Sequence, residues 1–165
     1  MPNNSAISSS KKRLLASVFT SVLRYAGPAW VTALQTKRNT SRLNSTFRLM
    51  AMRVSSAYRT ISSEAAYVIG ETIPTNLLLE EDSECYRDRV TRGARKRVRA
   101  DTLIKWQHQW DNAVNGGWTH RLIPRLSVWV IRAHGEVNFH MTQFLSGHGC
   151  FKKYLNRFAV LHRVR

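Results

Sequence analysis

Apolar residues recur at helical spacing in the first third of the chain, and this pattern limits the fold more than any other feature of the sequence. In the first stretch the apolar residues are Leu14, Leu15, Val18, Phe19, Val22 and Leu23. A second stretch follows the polar run 39–41, with apolar residues at Leu43, Phe47, Met50, Val54 and Tyr58. Such spacing places the apolar side chains on one face of a helix, whereas a strand would alternate. The sequence therefore predicts a mainly α fold.

Glycine, proline and polar residues indicate where the helices begin and end. The predicted boundaries are, in chain order, a break at Gly27-Pro28, the N-cap run 39–41, the N-cap Ser62, a left-handed C-cap at Gly70 and a start at Pro74-Thr75. In the last third we expect a break at 115–117, an extended or loop segment to Ser127, and one or two helices ending near Phe158. The fold class is thus a small helical bundle followed by a basic helix and an aromatic, His-rich helical tail.

The charge balance is strongly basic. Lys and Arg number 26 against 10 Asp and Glu, a net charge of +16, and residues 1–63 contain ten bases and no acid. Of the 26 bases, 19 are arginine, whose guanidinium binds phosphate in a bidentate manner. An apolar fraction of 43% is enough for a folded core, which excludes a disordered basic tail. The expected partner is a polyanion, RNA or DNA above all.

Two groups of basic residues are the candidate phosphate-binding surfaces. The second helix carries three of them opposite its apolar face, Arg42, Arg48 and Arg53. A denser group lies within residues 87–99 and consists of Arg87, Arg89, Arg92, Arg95, Lys96, Arg97 and Arg99. Such a run can also be a solvated helix face or a linker, but few acids lie nearby to pair with it. We expect both groups to contact phosphates without reading bases.

The aromatic and histidine residues of the second half have structural and functional interpretations. Trp106, Trp110 and Trp118 would suit base stacking, but the spacing of Leu103, Trp106 and Trp110 is helical and favours core positions. The imidazole and thiol groups do not have the spacing of a structural zinc site; they are His134, His140, His148 and Cys150. We therefore predict no metal site and no cofactor.

Several classes of protein are excluded. The four aspartates, at positions 82, 88, 101 and 111, are never adjacent, whereas two-metal nucleotidyl transfer needs close carboxylates. The sequence has neither a nucleotide-binding Gly-Lys-Ser/Thr loop nor a Gly-x-Ser-x-Gly turn. Two distant cysteines, Cys85 and Cys150, make no disulfide framework and fit a reducing compartment. Arg24 would cost a membrane span about 2.5–3.5 kcal/mol, so no membrane contact is expected.

Six blocks of the sequence carry a specific resemblance. In order they are 14–18 (LLASV), 23–30 (LRYAGPAW), 50–62 (MAMRVSSAYRTIS), 117–124 (GWTHRLIP), 134–140 (HGEVNFH) and 142–151 (TQFLSGHGCF). In order and spacing they resemble the region after the palm of non-LTR retrotransposon reverse transcriptases, in the jockey-like arthropod group that includes elements inserting into ribosomal DNA. The resemblance extends over roughly residues 9–158.

This resemblance implies an organisation and a parent activity. It implies a thumb-like helical region followed by a post-polymerase segment. The chain is then divided into a disordered N-terminus 1–10, the thumb-like region 11–70, a long basic helix or linker 71–116, the post-polymerase segment 117–158 and an unmatched tail 159–165. The unmatched tail would fit a frameshift. The parent would be an RNA-directed DNA polymerase. The endonuclease, the palm with its aromatic-Ala-Asp-Asp motif and the C-terminal zinc knuckle have no counterpart here, so no catalytic residue can be transferred and no enzymatic activity is expected.

We therefore expect a reverse-transcriptase fragment that binds RNA or a template–primer duplex electrostatically and takes no small-molecule substrate. We expect it to reside in the nucleus or, alternatively, in the cytoplasm. A second hypothesis is an inert product of a decayed element, whose apolar faces at 14–23 and 43–58 would be exposed and would aggregate. A third is a mitochondrial basic RNA-binding protein, since the first 25 residues are acid-free and Ser-rich. The resemblance weakens this third hypothesis because it includes most of that segment.

Overall fold

The computed structural model describes residues 9–25, 27–33, 36–87, 92–132 and 137–149. In these ranges 79% of the residues are helical and none is in a strand, which confirms the mainly α fold. The helices there are α1 (Ser9–Tyr25), α2 (Gly27–Ala33), α3 (Lys37–Ser55), α4 (Ser63–Ile69), α5 (Thr75–Arg87), α6 (Arg92–Asp111), α7 (Gly117–Leu122), α8 (Leu126–Ile131) and α9 (Phe139–Ser146).

Helices α1, α3 and α4 are joined by one aromatic cluster. Helix α1 packs against α3, α2 against α5, and α3 against α4. Phe47 of α3 is almost fully buried, and its ring centroid lies 6.0 Å from that of Phe19 in α1 and 5.5 Å from that of Tyr67 in α4. Burying an aromatic ring of this size is worth about 2–3 kcal/mol, so Phe47 is a main anchor of α3.

The main core surrounds α4, whose small side chains allow neighbouring helices to approach closely. Ala65, Ala66, Val68 and Ile69 are buried in it together with Trp106 and Trp110 of α6. The Trp110 indole N–H donates to the carbonyl of Ile123 at 2.9 Å, which satisfies the polar atom of a buried ring. The core interpretation of the Trp106–Trp110 spacing is therefore confirmed.

Two of the predicted helix starts are confirmed and one is wrong. The hydroxyl of Ser62 caps α4 by accepting from the Ala65 amide at 3.2 Å, and α5 begins at Thr75 as expected. Helix α3, however, begins at Lys37, upstream of the predicted cap run 39–41. The side-chain amide of Asn39 donates to the preceding carbonyl of Ala33 at 2.9 Å instead of capping the helix.

Two further predictions are wrong in the turns and the last third. Gly70 has φ −81 and is not left-handed, whereas the next residue, Glu71, adopts φ +54. The segment after the break at 115–117 is not extended, because it forms the short helices α7 and α8. The hydroxyl of Thr119 in α7 donates to the carbonyl of Leu145 in α9 at 3.0 Å, so a contact 26 residues away supports this helix. Helix α1 also begins at Ser9, within the terminus expected to be disordered.

One side of α1 is open to solvent. Its inner side buries Ala16 and Leu23, whereas five apolar side chains on its outer side are 55–93% exposed: Leu14, Leu15, Val18, Val22 and Tyr25. The apolar face at 14–23 is thus exposed in large part, while in the segment 43–58 Phe47, Ala51 and Met52 are buried. Within the described ranges, no helix is long and apolar enough to cross a membrane.

Candidate nucleic-acid interface

The three arginines predicted on α3 have different environments. Arg42 and Arg53 are exposed, and neither forms an ion pair with any described residue. Arg48 is half-buried, and its Nη2 donates to the backbone carbonyls of Arg59 at 2.8 Å and Ile61 at 2.7 Å. Arg48 therefore closes the turn between α3 and α4 while its charge stays without a carboxylate partner in the described residues.

A polar hollow of about 460 Å³ lies beside Arg48, between α3 and the first residue of α4. Its lining contains two cations, four hydroxyl groups and one amide, supplied by Lys37, Thr40, Ser41, Asn44, Ser45, Arg48 and Ser63. Cations and hydroxyl groups are the side chains that contact phosphate and sugar oxygens in nucleic-acid complexes. The hollow therefore has the chemistry of a phosphate subsite.

The sequence prediction missed Lys37, which faces this hollow. Lys37, Ser41, Asn44 and Arg48 follow one another at intervals of four, three and four residues, which is the spacing of a single helix face. That spacing was visible in the sequence, but it became a signal only once α3 was known to begin at Lys37 rather than after residue 41.

The second basic group is divided between two helices. Arg87 ends α5 and is exposed, and α6 begins at Arg92. Arg89 and the side chain of Arg92 lie outside the described part of the chain. On α6, three consecutive residues are exposed and form no ion pair with a described residue: Arg95, Lys96 and Arg97. We call these three residues the α6 basic patch.

Arg99, by contrast, belongs to an internal ion-pair network. Its Nη2 lies 3.0 Å from Oε1 of Glu81, a carboxylate that is only 6% exposed. Arg24 of α1 contacts the same oxygen at 3.1 Å, and its Nε donates to both oxygens of Asp82 at 2.9 and 3.0 Å. The hydrogen bond to Asp82 is the main cause that raises the pKa of Arg24. Arg99 therefore joins α6 to α5 and α1 and is not available to a phosphate in the way that the α6 basic patch is.

The remaining candidate residues divide between core and surface. Trp106 and Trp110 are each 2% exposed, so they cannot stack on a base, whereas Trp118 is 43% exposed. Of the four residues considered for zinc, His134 and Cys150 lie outside the described residues. His140 and His148 are described, and no cluster of three metal-ligating side chains occurs in the described ranges.

Comparisons with known proteins point to a mobile element. The chain is 26% identical to a 115 kDa protein in the type-1 retrotransposable element R1DM of Drosophila melanogaster, over a 160-residue alignment that covers 82% of this chain. The same alignment covers 15% of the Drosophila protein, so the chain spans a small part of that relative's length. This similarity supports a non-LTR retrotransposon origin for the sequence. No protein-family model matches the chain, and no solved structure matches it.

Proposed function

We propose that this chain is a fragment of a non-LTR retrotransposon reverse transcriptase, from the thumb and post-polymerase region, that binds RNA or a template–primer duplex through phosphate contacts. The observation that carries the proposal is the set of exposed cations on α3 and α6 without carboxylate partners among the described residues. Arg24 and Arg99, by contrast, are paired with the carboxylate of Glu81 within the fold. The unpaired cations of α3 and α6 are therefore the ones that favour an external anion.

The polar hollow beside Arg48 supplies a second kind of contact. A phosphate there would meet the ammonium of Lys37, the guanidinium of Arg48 and hydroxyl donors such as that of Ser41. Arg48 is already held by two backbone carbonyls, so little side-chain entropy would be lost when a phosphate binds. The hollow would therefore fix the position of the nucleic-acid backbone, and the exposed cations of the α6 basic patch would add long-range attraction.

The open side of α1 supports the assignment as a part of a larger protein. Contiguous apolar side chains on a monomer surface commonly mark an interface, and here Leu15, Val18 and Val22 are each more than half exposed. In the parent protein we expect the preceding polymerase domain to pack on this face. The jockey-like relationship and the thumb position are part of the same proposal.

No polymerase activity is part of the proposal. Of the three aspartates in the described ranges, Asp82 is paired with Arg24 and Asp111 with His120, so two of the three carboxylates already have partners within the fold. Metal-dependent incorporation of nucleotides by the purified chain would contradict this part of the proposal. We expect the chain to act in the nucleus, where its partner would be element RNA or target DNA.

Salt-dependent binding tests the proposal directly. The measurement is fluorescence anisotropy of a labelled single-stranded RNA and of an RNA–DNA duplex, between about 50 and 200 mM KCl. If six phosphates are neutralised, the slope of log K against log salt should be roughly −4 on a single strand and −5 on a duplex. Absence of binding at low salt, or an affinity independent of salt, would refute the proposal.

The same open face of α1 also favours a second candidate, an inert and aggregating product of a decayed element. Such a product would show a broad, irreversible thermal transition and no discrete monomer. A sharp, reversible transition from a monomer would exclude it. Sedimentation velocity together with a thermal scan therefore separates the two candidates before any binding is measured.

A further inference from the structure

A groove whose lining includes no residue of either basic group contains exposed aromatic side chains. It has a volume of about 770 Å³ and lies between the start of α4, the turn that precedes α7, and the end of α9. The aromatic rings of Trp118 and Phe144 line it, with the guanidinium-bearing Arg121 and the imidazole of His148. None of the described residues that line the groove is acidic.

Trp118 is held in a fixed orientation although 43% of it is exposed. Its indole N–H donates to the carbonyl of Phe144 at 2.9 Å, which anchors one edge of the ring. The backbone of Gly147 lies directly against the same ring, since a Cβ atom built at Gly147 would come within 2.9 Å of its Cδ1 atom. Gly147 also has φ +67, a conformation suited to glycine, so a glycine here satisfies both the turn and the close approach.

An exposed ring fixed in this way differs from the three other tryptophans whose side chains the structure describes. Trp106 and Trp110 are buried in the core, and Trp129 is half-buried with its N–H bonded to the carbonyl of Val68. Packing alone does not explain why Trp118 is both rigid and open. A rigid aromatic surface loses little conformational entropy when a flat ligand stacks on it.

We propose that this groove binds an unpaired nucleobase, stacked on Trp118, from a single strand whose phosphates follow the basic surface. A base is the occupant that the groove favours because its lining combines aromatic rings, polar groups such as Ser62 and Asn115, and a cation, with no described acid. A net charge of +16 brings nucleic acid to the protein and repels a basic peptide. This inference rests on the proposed nucleic-acid binding and adds to it a preference for single strands.

The test compares three probes on the full chain: an oligouridine, an abasic oligonucleotide of the same length, and an RNA–DNA duplex. The abasic strand has the phosphates but no bases, so it isolates the contribution of stacking. Stacking of a base on the ring should make the oligouridine bind about 5- to 20-fold more tightly than the abasic strand. This factor lies in the lower part of the range for base–aromatic stacking, because only part of the Trp118 ring is open. Quenching of tryptophan fluorescence should accompany binding of the oligouridine alone.

Two variants localise the effect. Trp118→Ala should remove the preference for the oligouridine while leaving the affinities for the abasic strand and the duplex unchanged. Thr60→Leu, at an exposed position on the groove wall, should reduce the same preference, because a bulkier side chain that cannot stack on a base narrows the groove. This second variant keeps the test valid if Trp118→Ala fails to fold.

The outcomes separate this inference from the function on which it rests. If the abasic strand and the duplex bind with a steep salt dependence but the oligouridine binds no better, the groove proposal is overturned and the proposed function stands. A preference for the oligouridine that survives Thr60→Leu, or Trp118→Ala in a folded chain, would also overturn the groove. If no probe binds at low salt, both proposals are overturned.

Discussion

Removing the α6 basic patch should weaken the salt dependence of binding without changing the fold. The variant carries Arg95→Gln, Lys96→Gln and Arg97→Gln together, and it lowers the net charge from +16 by three. All three side chains are exposed and have no ion-pair partner among the described residues. Glutamine keeps the length and helix propensity of these side chains, so the helical signal in circular dichroism and the unfolding midpoint should stay as in the parent chain.

The expected magnitude follows from the number of cations that the fold leaves unpaired. Each phosphate contact contributes about 0.7 to the slope of log K against log salt on a single strand and about 0.9 on a duplex. If all three residues contact phosphates, the slope should fall in size by about 2 on a single strand and about 3 on a duplex. When KCl rises from about 50 to 200 mM, the affinity for a single strand falls in both proteins. The factor by which it falls should be about 20 times smaller for the variant than for the parent chain.

Two controls make this prediction refutable. A charge-matched variant with Lys11→Gln, Arg59→Gln and Arg125→Gln removes three exposed cations outside the patch and should change the slope by much less. Arg99→Gln removes a cation that is bound to Glu81, so it should lower stability and leave the slope almost unchanged. If the charge-matched variant reduces the slope as much as the patch variant does, binding depends on net charge alone and the assignment of the patch is wrong.

Three further predictions concern stability. Glu81→Gln should lower the free energy of unfolding in urea denaturation by about 2–4 kcal/mol, because two partly buried guanidinium groups lose the same carboxylate. An unchanged free energy of unfolding would mean that the ion-pair network is already hydrated. Trp110→Ala should cost about 3–5 kcal/mol in the same measurement and leave the salt slope intact, and a small loss would contradict its core position. The hydrogen bond from His120 lowers the pKa of Asp111 below its usual 3.8, so its stabilisation is present above that pH and is lost as the pH falls through the lower folded value. Thermal melts in this acid range should therefore show a smaller pH dependence for Asp111→Asn, and equal dependence in both proteins would refute the coupling.

Much of the fold follows from local sequence patterns. Apolar residues at helical spacing identified the helices around Phe47 and Trp110, and a serine followed by a helical segment identified the cap at Ser62. These features depend on interactions within a few residues, which a single sequence displays directly. The cationic side predicted for α3 rests on the spacing of its arginines, and the basic group at 87–99 on their density.

What the sequence could not show depends on residues far apart in the chain. Arg99 pairs with Glu81 on the preceding helix, and Arg48 bonds to carbonyls 11 and 13 residues away, so neither is an ordinary surface cation. The helix at Gly117–Leu122 was missed because it is supported by α9, through Thr119 and the carbonyl of Leu145. A tertiary contact of this kind overrides the weak local preference of a segment that follows two glycines. Trp118 is also oriented from α9, by the carbonyl of Phe144, which is another contact that local sequence spacing does not display.

The outer face of α1 provides a test of whether the chain is a working fragment or an inert one. Leu15 and Val18 are 64% and 55% exposed, so Leu15→Gln with Val18→Gln should change the free energy of unfolding by less than about 0.5 kcal/mol. The buried Leu23 is the matched position on the same helix, and Leu23→Gln should cost about 2 kcal/mol or more.

If the parent chain self-associates through this face, the double variant should sediment as a monomer with unchanged stability. A monomer that binds nucleic acid with the parent's salt slope would show that the open face mediates self-association and that the basic surface works independently of it. A monomer that binds nothing would identify the inert product. Loss of stability as large as that of Leu23→Gln would instead mean that α1 packs this face within its own chain, and the argument that assigns the face to a missing domain would then fail.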